Sequence, residues 1–354
     1  MNRSVRKGNL VARVLAGSWR ISKFPSLDIS ELELDEVSPL LYGSGAAALG
    51  WRRLSQTEFR ESPPAELLHQ AYRLLSLQAE IHEEKIERVF RLLRESSVDA
   101  VLAKGWAAAG LYPDRSLRPY GDIDLCIHPS HYKLAEEILS APEVRDCWID
   151  LHRHFSEISD RKIDDIFARS SQVPLRSELI RIVGREDHLA LSAIHLLKHG
   201  AWRPLWLCDI GASIESLPAS FDWEVCLGRN AKKAGWIASV IALANRLLDA
   251  RVEALPISEK TLELPGWLVE NVLKQWANPF AANQPPMRHP IPIAEQWKSP
   301  RGLAKALRER WPDPILATIS VNGRFNNFPR WPYQVANCLS RIVRVVTRAP
   351  DTAQ

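Results

Sequence analysis

The chain has few cysteines, no CxxC pair among them, and no long apolar run. An odd, scattered set of cysteines is typical of reduced thiols in a cytosolic protein and argues against a disulfide frame or a zinc site. The five cysteines are Cys126, Cys147, Cys208, Cys226 and Cys338. No stretch reaches the roughly 18 apolar residues of a membrane-spanning helix, and the basic N-terminus lacks the apolar segment of a secretory signal. We therefore expect a soluble, cytoplasmic protein without a transmembrane segment.

The chain also lacks a strong excess of either charge. It carries 46 basic and 42 acidic residues, a formal net charge of +4 over 354 residues. A nucleic-acid-binding domain usually has a clustered basic stripe, so the composition favours no specific nucleic-acid partner. The mild positive charge suits a small anionic substrate, and the length allows two or three packing units.

Hydrophobic periodicity predicts helices on both sides of an alternating centre. The run 65–95 contains no glycine or proline and predicts one long amphipathic helix or two abutting ones, and residues 28–60 are expected to be partly helical with a break at 43–45. The centre predicts strands at 98–103, 121–128 and 146–152 that alternate with short helices at 106–111 and 131–139. Helices are expected again at 187–200, 204–217 and 223–250.

This order of elements predicts an α+β fold, in which a small mixed-sheet core is flanked by mostly helical N- and C-terminal regions. The predicted regions are a helical N-terminal region at 1–95, an α/β core at 96–175, a helical region packed on the core at 176–250, and a mostly helical extension at 251–354. In the extension, prolines interrupt 256–292, a helix is expected at 302–311, and a basic amphipathic segment spans 333–348. The arginines of that segment, Arg341, Arg344 and Arg348, suit either a membrane surface or a solvated face of a docked helix.

Asp122 and Asp124 stand two residues apart on a predicted half-buried strand, so their side chains are expected to project from one face. Two carboxylates this close repel each other, and a divalent cation such as Mg²⁺ relieves that repulsion. Asp150, on a neighbouring predicted strand, adds a third carboxylate, and three together can hold two metals that activate an attacking oxygen. The alternatives are a polar strand edge for the first pair and a cap or an Arg153 partner for Asp150.

Upstream, Lys104 and Gly105 lie where a strand gives way to a helix. Glycine lets the backbone approach a phosphate closely, and a helix N-terminus favours anions. Lys104 could add a point charge to a triphosphate, and Arg118 could add a forked donor. Alternatively, Lys104 is a solvated lysine at a strand end and Arg118 forms an ion pair with Asp114 or Asp122.

Three segments resemble the uncharacterised nucleotidyltransferase family of the polymerase-β-like superfamily. They are AKGWAAAGLYPDRSLRPYGDIDLCI, WIDLH and HLLKHGAWRPLWLCDI. The resemblance implies an NTP bound through Mg²⁺ or Mn²⁺ and transfer of a nucleoside monophosphate to an acceptor that is generally unknown for the family. It implies Asp122 and Asp124 as metal ligands, Asp150 as the third acidic residue, and Gly105 as the nucleotide-phosphate turn. The superfamily prefers a serine or a second glycine where this chain has Trp106.

The predicted helix at 187–200 and the segment after it carry further candidates. By the same resemblance, Lys198 and His199 reach the nucleotide or the acceptor. The alternative is that they lie at a solvent-exposed helix end. His195 and His199 have the spacing of a zinc pair, but the glutamate of HExxH is missing between them. Asp209 is either functional or a buried hydrogen-bonding residue that orients its helix. Trp106 and Trp202 either pack in the interior or stack on a base.

The leading hypothesis is a Mg²⁺-dependent nucleotidyltransferase that uses an NTP and an unidentified acceptor, which could be a small metabolite, a peptide or a protein. One alternative, favoured by Trp106, is a catalytically inactive nucleotide- or partner-binding module on the same fold. The other is a kinase that transfers the γ-phosphate.

Overall fold

The computed structural model describes residues 2–253, 255–256, 262–278 and 311–347. In these ranges the α-helices are α1 (Arg3–Leu15), α2 (Glu31–Gly43), α3 (Ala47–Leu54), α4 (Pro63–Glu95), α5 (Gly105–Ala109), α6 (Tyr132–Ile138), α7 (Ile163–Arg169), α8 (Arg185–Lys198), α9 (Pro204–Glu215), α10 (Trp223–Leu227), α11 (Ala231–Leu248), α12 (Gly266–Trp276), α13 (Pro314–Ser320) and α14 (Trp331–Thr347). The strands are β1 (Ala100–Ala103), β2 (Ile123–Ile127), β3 (Ile149–His152), β4 (Ser171–Leu175) and β5 (Glu178–Ile182).

The five strands form one mixed sheet in the order β3-β2-β1-β5-β4. β1 pairs antiparallel with β2 and parallel with β5, β2 pairs parallel with β3, and β4 and β5 form an antiparallel hairpin. Helices that precede and follow the strands in the sequence flank this sheet, and the predicted α+β class is confirmed.

The register of the sheet places polar side chains beside one another. Asp124 of β2 lies opposite Asp150 of β3, and it also lies opposite Ala103, the last residue of β1. Directly paired residues of neighbouring strands carry their side chains on the same face. His152, two residues after Asp150, shares that face. The register therefore brings Asp124, Asp150 and His152 together, immediately beside Lys104, which follows β1.

β2 is buried along its whole length, so the prediction of a half-buried strand is wrong. Its alternation separates two apolar clusters instead of separating core from solvent. Ile123, Leu125 and Ile127 belong to a cluster with the C-terminal half of α4, whereas Cys126 belongs to the larger cluster that includes α8 and α9. Asp124 therefore lies between the sheet and the helical region, where a carboxylate needs specific partners.

α4 is one continuous helix of 33 residues, which fulfils one of the two alternatives for 65–95. It begins at Pro63, where a proline has the helical φ and its missing N–H has no helical partner to lose. Its first half buries Ala65 and Leu68 in the larger cluster, and its second half buries Val89 and Phe90 against the sheet. One helix thus connects the N-terminal helices to the sheet.

One prediction of local structure is wrong, and one hairpin was not predicted. The helix expected at 223–250 is divided into α10 and α11 because Gly228 adopts φ +66° and ends α10, and Asn230 then caps α11. The hairpin of β4 and β5 was not predicted, and the expected start of a helical region at 176 falls inside it. Its two-residue turn, Arg176 and Ser177, lacks the asparagine or glycine that usually marks such turns, although Arg176 has a φ of 52°.

The break at 43–45 between α2 and α3 is confirmed, as are the helices at 187–200 and 204–217 to within a few residues. The helix expected at 302–311 lies outside the described residues except for Trp311, as do most of 256–292 and all of Arg348. The amphipathic segment 333–348 is helical as α14 as far as Thr347, and the side chain of Arg344 is outside the described part. None of the described helices is long and apolar enough to cross a membrane.

Candidate functional site

A cavity of about 300 Å³ lies between the sheet and the pair of helices α8 and α9, and this volume is at the lower end of small-molecule sites. We call its first side the sheet wall, which consists of Lys104, Gly105, Ala108, Gly121, Asp122 and Asp124. We call the opposite side the helix wall, which consists of Ser192, His195, Arg203, Trp206 and Asp209. Arg118, Pro119 and Tyr120 of the loop before β2 complete the lining.

Asp124 is the buried carboxylate of the sheet wall. Its Oδ1 accepts hydrogen bonds from Lys104 Nζ at 2.8 Å and from His152 Nε2 at 3.1 Å. Burial by itself raises the pKa of Asp124, but the hydrogen bond from His152 and the charge of Lys104 outweigh burial and hold this pKa below its usual range. Asp124 is therefore an anion at neutral pH, stabilised by two donors.

Asp150 and His152 complete a cluster of potential metal ligands with Asp124. One ligand atom from each of the three residues lies within 4.8 Å of the others, and His152 Nε2 is 3.2 Å from Asp150 Oδ2. The Asp150 side chain is 61% exposed, against 4% for Asp124, so one carboxylate is fixed in the interior and the other faces solvent. His152 was not among the site residues predicted from the sequence.

Asp122 is placed differently from the prediction. β2 begins at Ile123, so Asp122 precedes the strand and does not project from a strand face together with Asp124. It is exposed, and it does not belong to the cluster of ligand atoms. It does line the same cavity, so its role as a metal ligand stays a prediction.

Lys104 and Gly105 form a tight turn between β1 and α5. Lys104 has φ 53° and ψ −136°, a conformation that residues with a side chain rarely adopt, and its ammonium is held by Asp124. A Cβ on Gly105 would lie 3.3 Å from Tyr120 Cβ and 3.5 Å from the carbonyl oxygen of Asp122. Glycine thus allows close packing against the loop before β2, and its contact with a nucleotide phosphate stays a prediction.

Arg118 is engaged by Asp209, not by Asp114 or Asp122, so both predicted ion-pair partners are wrong. Arg118 Nη2 lies 2.8 Å from Asp209 Oδ2, its Nε lies 3.2 Å from both carboxylate oxygens, and its Nη1 donates to the carbonyl of Pro119. Both side chains are buried. The pair connects the loop before β2 to α9, as the structural alternative for Asp209 predicted. Contact of Arg118 with phosphate stays a prediction.

Arg203 is a cavity residue that sequence analysis did not select. Its Nε donates to the carbonyl of Ser44 at 2.9 Å, and its guanidinium lies 5.7 Å from the Trp206 ring centroid. No carboxylate of the described residues lies within 4.0 Å of it. Burial, with a smaller contribution from the charge of Arg118, lowers the pKa of Arg203 to about 10. The only local signal was a basic residue directly before the proline that begins α9.

Another buried carboxylate, Glu157, lies behind the helix wall. His195 Nδ1 is 3.5 Å from its Oε1, and Lys198 donates to the neighbouring Ser156 Oγ at 2.9 Å. Burial raises the pKa of Glu157, but the nearby imidazole of His195 and the charge of Lys104 outweigh burial and hold this pKa far below its usual range. The charge of Glu157 thus compensates cations on both sides of the cavity. No pattern in the sequence indicated this role.

His195 of α8 and His199, which directly follows α8, pack against Trp206 of α9. The rings of His195 and His199 are 4.5 Å apart, and both lie about 5 Å from Trp206. The cavity lining includes His195 but neither Lys198 nor His199, and the histidine pair is not among the potential metal clusters of the described residues. Burial lowers the pKa of His199 to about 4. The expected contact of Lys198 and His199 with a nucleotide stays a prediction.

Trp106 and Trp202 lie outside the cavity lining. Trp106 is buried, its Nε1 donates to Glu83 at 2.9 Å, and the guanidinium of Arg115 lies 4.1 Å from its ring centroid. Trp202 packs edge-on against Trp206, with 5.6 Å between the centroids. Both tryptophans therefore have packing roles in this structure.

Comparison with known proteins gives one match. A family model described as "Uncharacterised nucleotidyltransferase" matches residues 30–249, which is more than half of the chain. The matched range contains every residue of both cavity walls. Neither the curated proteins nor the solved structures give a match.

Proposed function

The chain belongs to the uncharacterised nucleotidyltransferase family, and from this membership and the cavity we propose a Mg²⁺-dependent transfer of a nucleoside monophosphate from an NTP. The acceptor in this proposal is an unidentified small metabolite, peptide or protein. The observation that carries the proposal is the cluster of Asp124, Asp150 and His152, whose ligand atoms lie within 4.8 Å of one another beside the cavity.

The donor set fits a hard divalent cation. Asp124 and Asp150 come from two adjacent strands and offer carboxylate oxygens, which Mg²⁺ and Mn²⁺ prefer. We propose that these two residues hold the metal together with Asp122, and that His152 orients both carboxylates. When bound, the metal would neutralise charge on the transferring phosphoryl group and polarise the attacking oxygen.

The residues of the chain would position the reactants and move one proton. The oxygen of the acceptor hydroxyl forms a new bond to the α-phosphorus, and the bond from that phosphorus to the bridging oxygen of the β-phosphate breaks. Pyrophosphate leaves, and the hydroxyl proton passes to Asp150, whose exposed side chain can release it to water. Lys104 and the close backbone approach at Gly105 would steady the phosphates, so that catalysis rests on positioning and charge neutralisation.

The inactive binding module stays an alternative, because the serine or second glycine that the superfamily prefers after Gly105 is absent from this chain. That hypothesis rested on Trp106, whose side chain is buried beside Glu83 and does not line the cavity.

All five cysteines are free thiols, which supports the proposed cytoplasmic location.

The test uses NTPs labelled at the α- or the γ-phosphate, incubated with Mg²⁺, the protein and a cell extract as the source of acceptor. We expect the α-label on an acceptor, and we expect Asp122→Ala combined with Asp124→Ala to abolish it. Asp164→Ala combined with Asp165→Ala, two exposed carboxylates of α7, is the matched control. Transfer of the γ-label would identify a kinase, and NTP binding without transfer would identify a binding module.

A further inference from the structure

The cavity contains two ion pairs and two charged side chains without an ionic partner. Lys104 is paired with Asp124, and Arg118 with Asp209. Within the described part of the chain, Asp122 and Arg203 have no oppositely charged group within 4.0 Å. The unpaired anion lies on the sheet wall and the unpaired cation on the helix wall.

The setting of Arg203 is unfavourable unless an anion binds there. The guanidinium is partly buried, and its one hydrogen bond to the described residues joins Nε to the carbonyl of Ser44, which leaves the two terminal nitrogens for another acceptor. Burial, with a smaller contribution from the charge of Arg118, lowers its pKa to about 10, and the more distant charges of Asp209 and Asp122 offset this shift only in part. Burial of a charge without a partner is costly, so such a residue is more often retained for binding than for stability.

The unpaired charges of Asp122 and Arg203 match those of a metal-bound triphosphate. A cation held at Asp122 and Asp124 would face an anion held at Arg203, and a metal–triphosphate complex presents both charges at once. The planar guanidinium offers parallel donors that fit two phosphate oxygens, whereas a base or a neutral hydroxyl gives no such match.

We propose that Arg203 binds the pyrophosphate portion of the NTP, the group that leaves during transfer. This inference rests on the proposed function. Negative charge grows on the leaving pyrophosphate as its bond to the α-phosphorus breaks, so a fixed cation there stabilises the transition state more than the ground state. Arg118 is less available for this role, because it already donates to Asp209 and to the carbonyl of Pro119.

The test measures binding of Mg²⁺-pyrophosphate, of Mg²⁺-ATP and of adenosine by titration calorimetry. We expect Arg203→Gln to weaken pyrophosphate and ATP about tenfold to a hundredfold and to leave adenosine unchanged. Arg203→Lys, which keeps the charge but not the fork, should fall between Arg203→Gln and the wild type. Arg145→Gln, an exposed arginine outside the cavity, should bind like the wild type.

A second measurement uses the wild-type protein, so it does not depend on how a variant folds. An arginine-specific dicarbonyl reagent is applied with and without saturating Mg²⁺-pyrophosphate, and the modified arginines are identified by mass spectrometry. We expect pyrophosphate to protect Arg203 and to leave the modification rate of Arg145 unchanged. An unprotected Arg203 would contradict the inference.

The outcomes separate this inference from the proposed function. If Arg203→Gln binds pyrophosphate and ATP like the wild type, the inference is wrong while α-label transfer can still occur. If pyrophosphate binding depends on Arg203 but no α-label is transferred, the inference holds for a binding protein and the proposed function is wrong. If the wild type binds neither pyrophosphate nor ATP, the inference is wrong.

Discussion

The two walls of the cavity differ in how their charges are compensated. On the sheet wall, Asp122 and Asp124, with Asp150 beside them, outnumber the one cation, Lys104. On the helix wall, Asp209 is paired with Arg118, and Arg203 has no carboxylate within 4.0 Å among the residues that the structure describes. The first arrangement suits a metal and the second suits an anion. Binding and stability should therefore respond differently when each wall is altered.

The largest effect is expected for Asp124→Asn on the sheet wall. The amide keeps the shape of the side chain but loses the charge that a metal requires, so α-label transfer should fall by at least about a hundredfold. Titration with Mn²⁺ should show a matching loss of metal binding. Asp164→Asn on α7 is the control. Undiminished transfer by Asp124→Asn would show that the sheet wall holds no catalytic metal.

A large loss of stability is expected for Arg118→Gln. The substitution leaves the buried carboxylate of Asp209 with Tyr112 as its remaining partner among the contacts of the described residues. Removing one member of a buried ion pair costs about 3–5 kcal/mol of the free energy of unfolding. Urea denaturation measures this change, with Arg145→Gln as the exposed control. A loss below about 1 kcal/mol would mean that the ion pair does not stabilise the contact between the loop before β2 and α9.

The sheet wall could largely be predicted from the sequence because its residues are close in the chain or on adjacent strands. Alternation placed Asp124 on one strand and Asp150 on a neighbouring strand, and the sheet register brought both together with His152. The start of β2 at Ile123 was less predictable, since strand ends depend on pairing with neighbours. For this reason the predicted strand began too early and included Asp122.

The helix wall could not be predicted because its key contacts join distant parts of the chain. Arg118 and Asp209 are 91 positions apart, and Arg203 reaches the carbonyl of Ser44 across 159 positions. Local patterns predicted the helices but not which residue of one element would meet which residue of another. The partner of Arg118 and the binding role proposed for Arg203 therefore emerged only from the fold.

An intermediate effect is expected from His188 on α8, whose titration makes the free energy of unfolding depend on pH. Burial lowers the pKa of His188 to about 4, while an unfolded histidine titrates near 6.5. Between these values the unfolded state binds a proton that the folded state does not, so stability falls as pH falls through this window. The slope for one group is at most about 1.4 kcal/mol per pH unit.

His188→Gln should therefore flatten the fall in stability between pH 6.5 and 4, as urea denaturation at several pH values would show. Identical slopes for the variant and the wild type would contradict the buried, neutral state of His188.

The smallest effect on stability is expected for Arg203→Gln, in contrast to Arg118→Gln on the same cavity. The variant loses the hydrogen bond to Ser44, worth about 1 kcal/mol, but it also removes a desolvated charge, so the free energy of unfolding should change by less than about 1 kcal/mol. Urea denaturation of both variants in parallel measures the difference. If Arg203→Gln lost as much stability as Arg118→Gln, Arg203 would be a structural residue, and weakened pyrophosphate binding would follow from a disturbed fold. A stable variant that binds pyrophosphate poorly would instead show that the two arginines of the cavity differ in role, with Arg118 stabilising the fold and Arg203 binding the ligand.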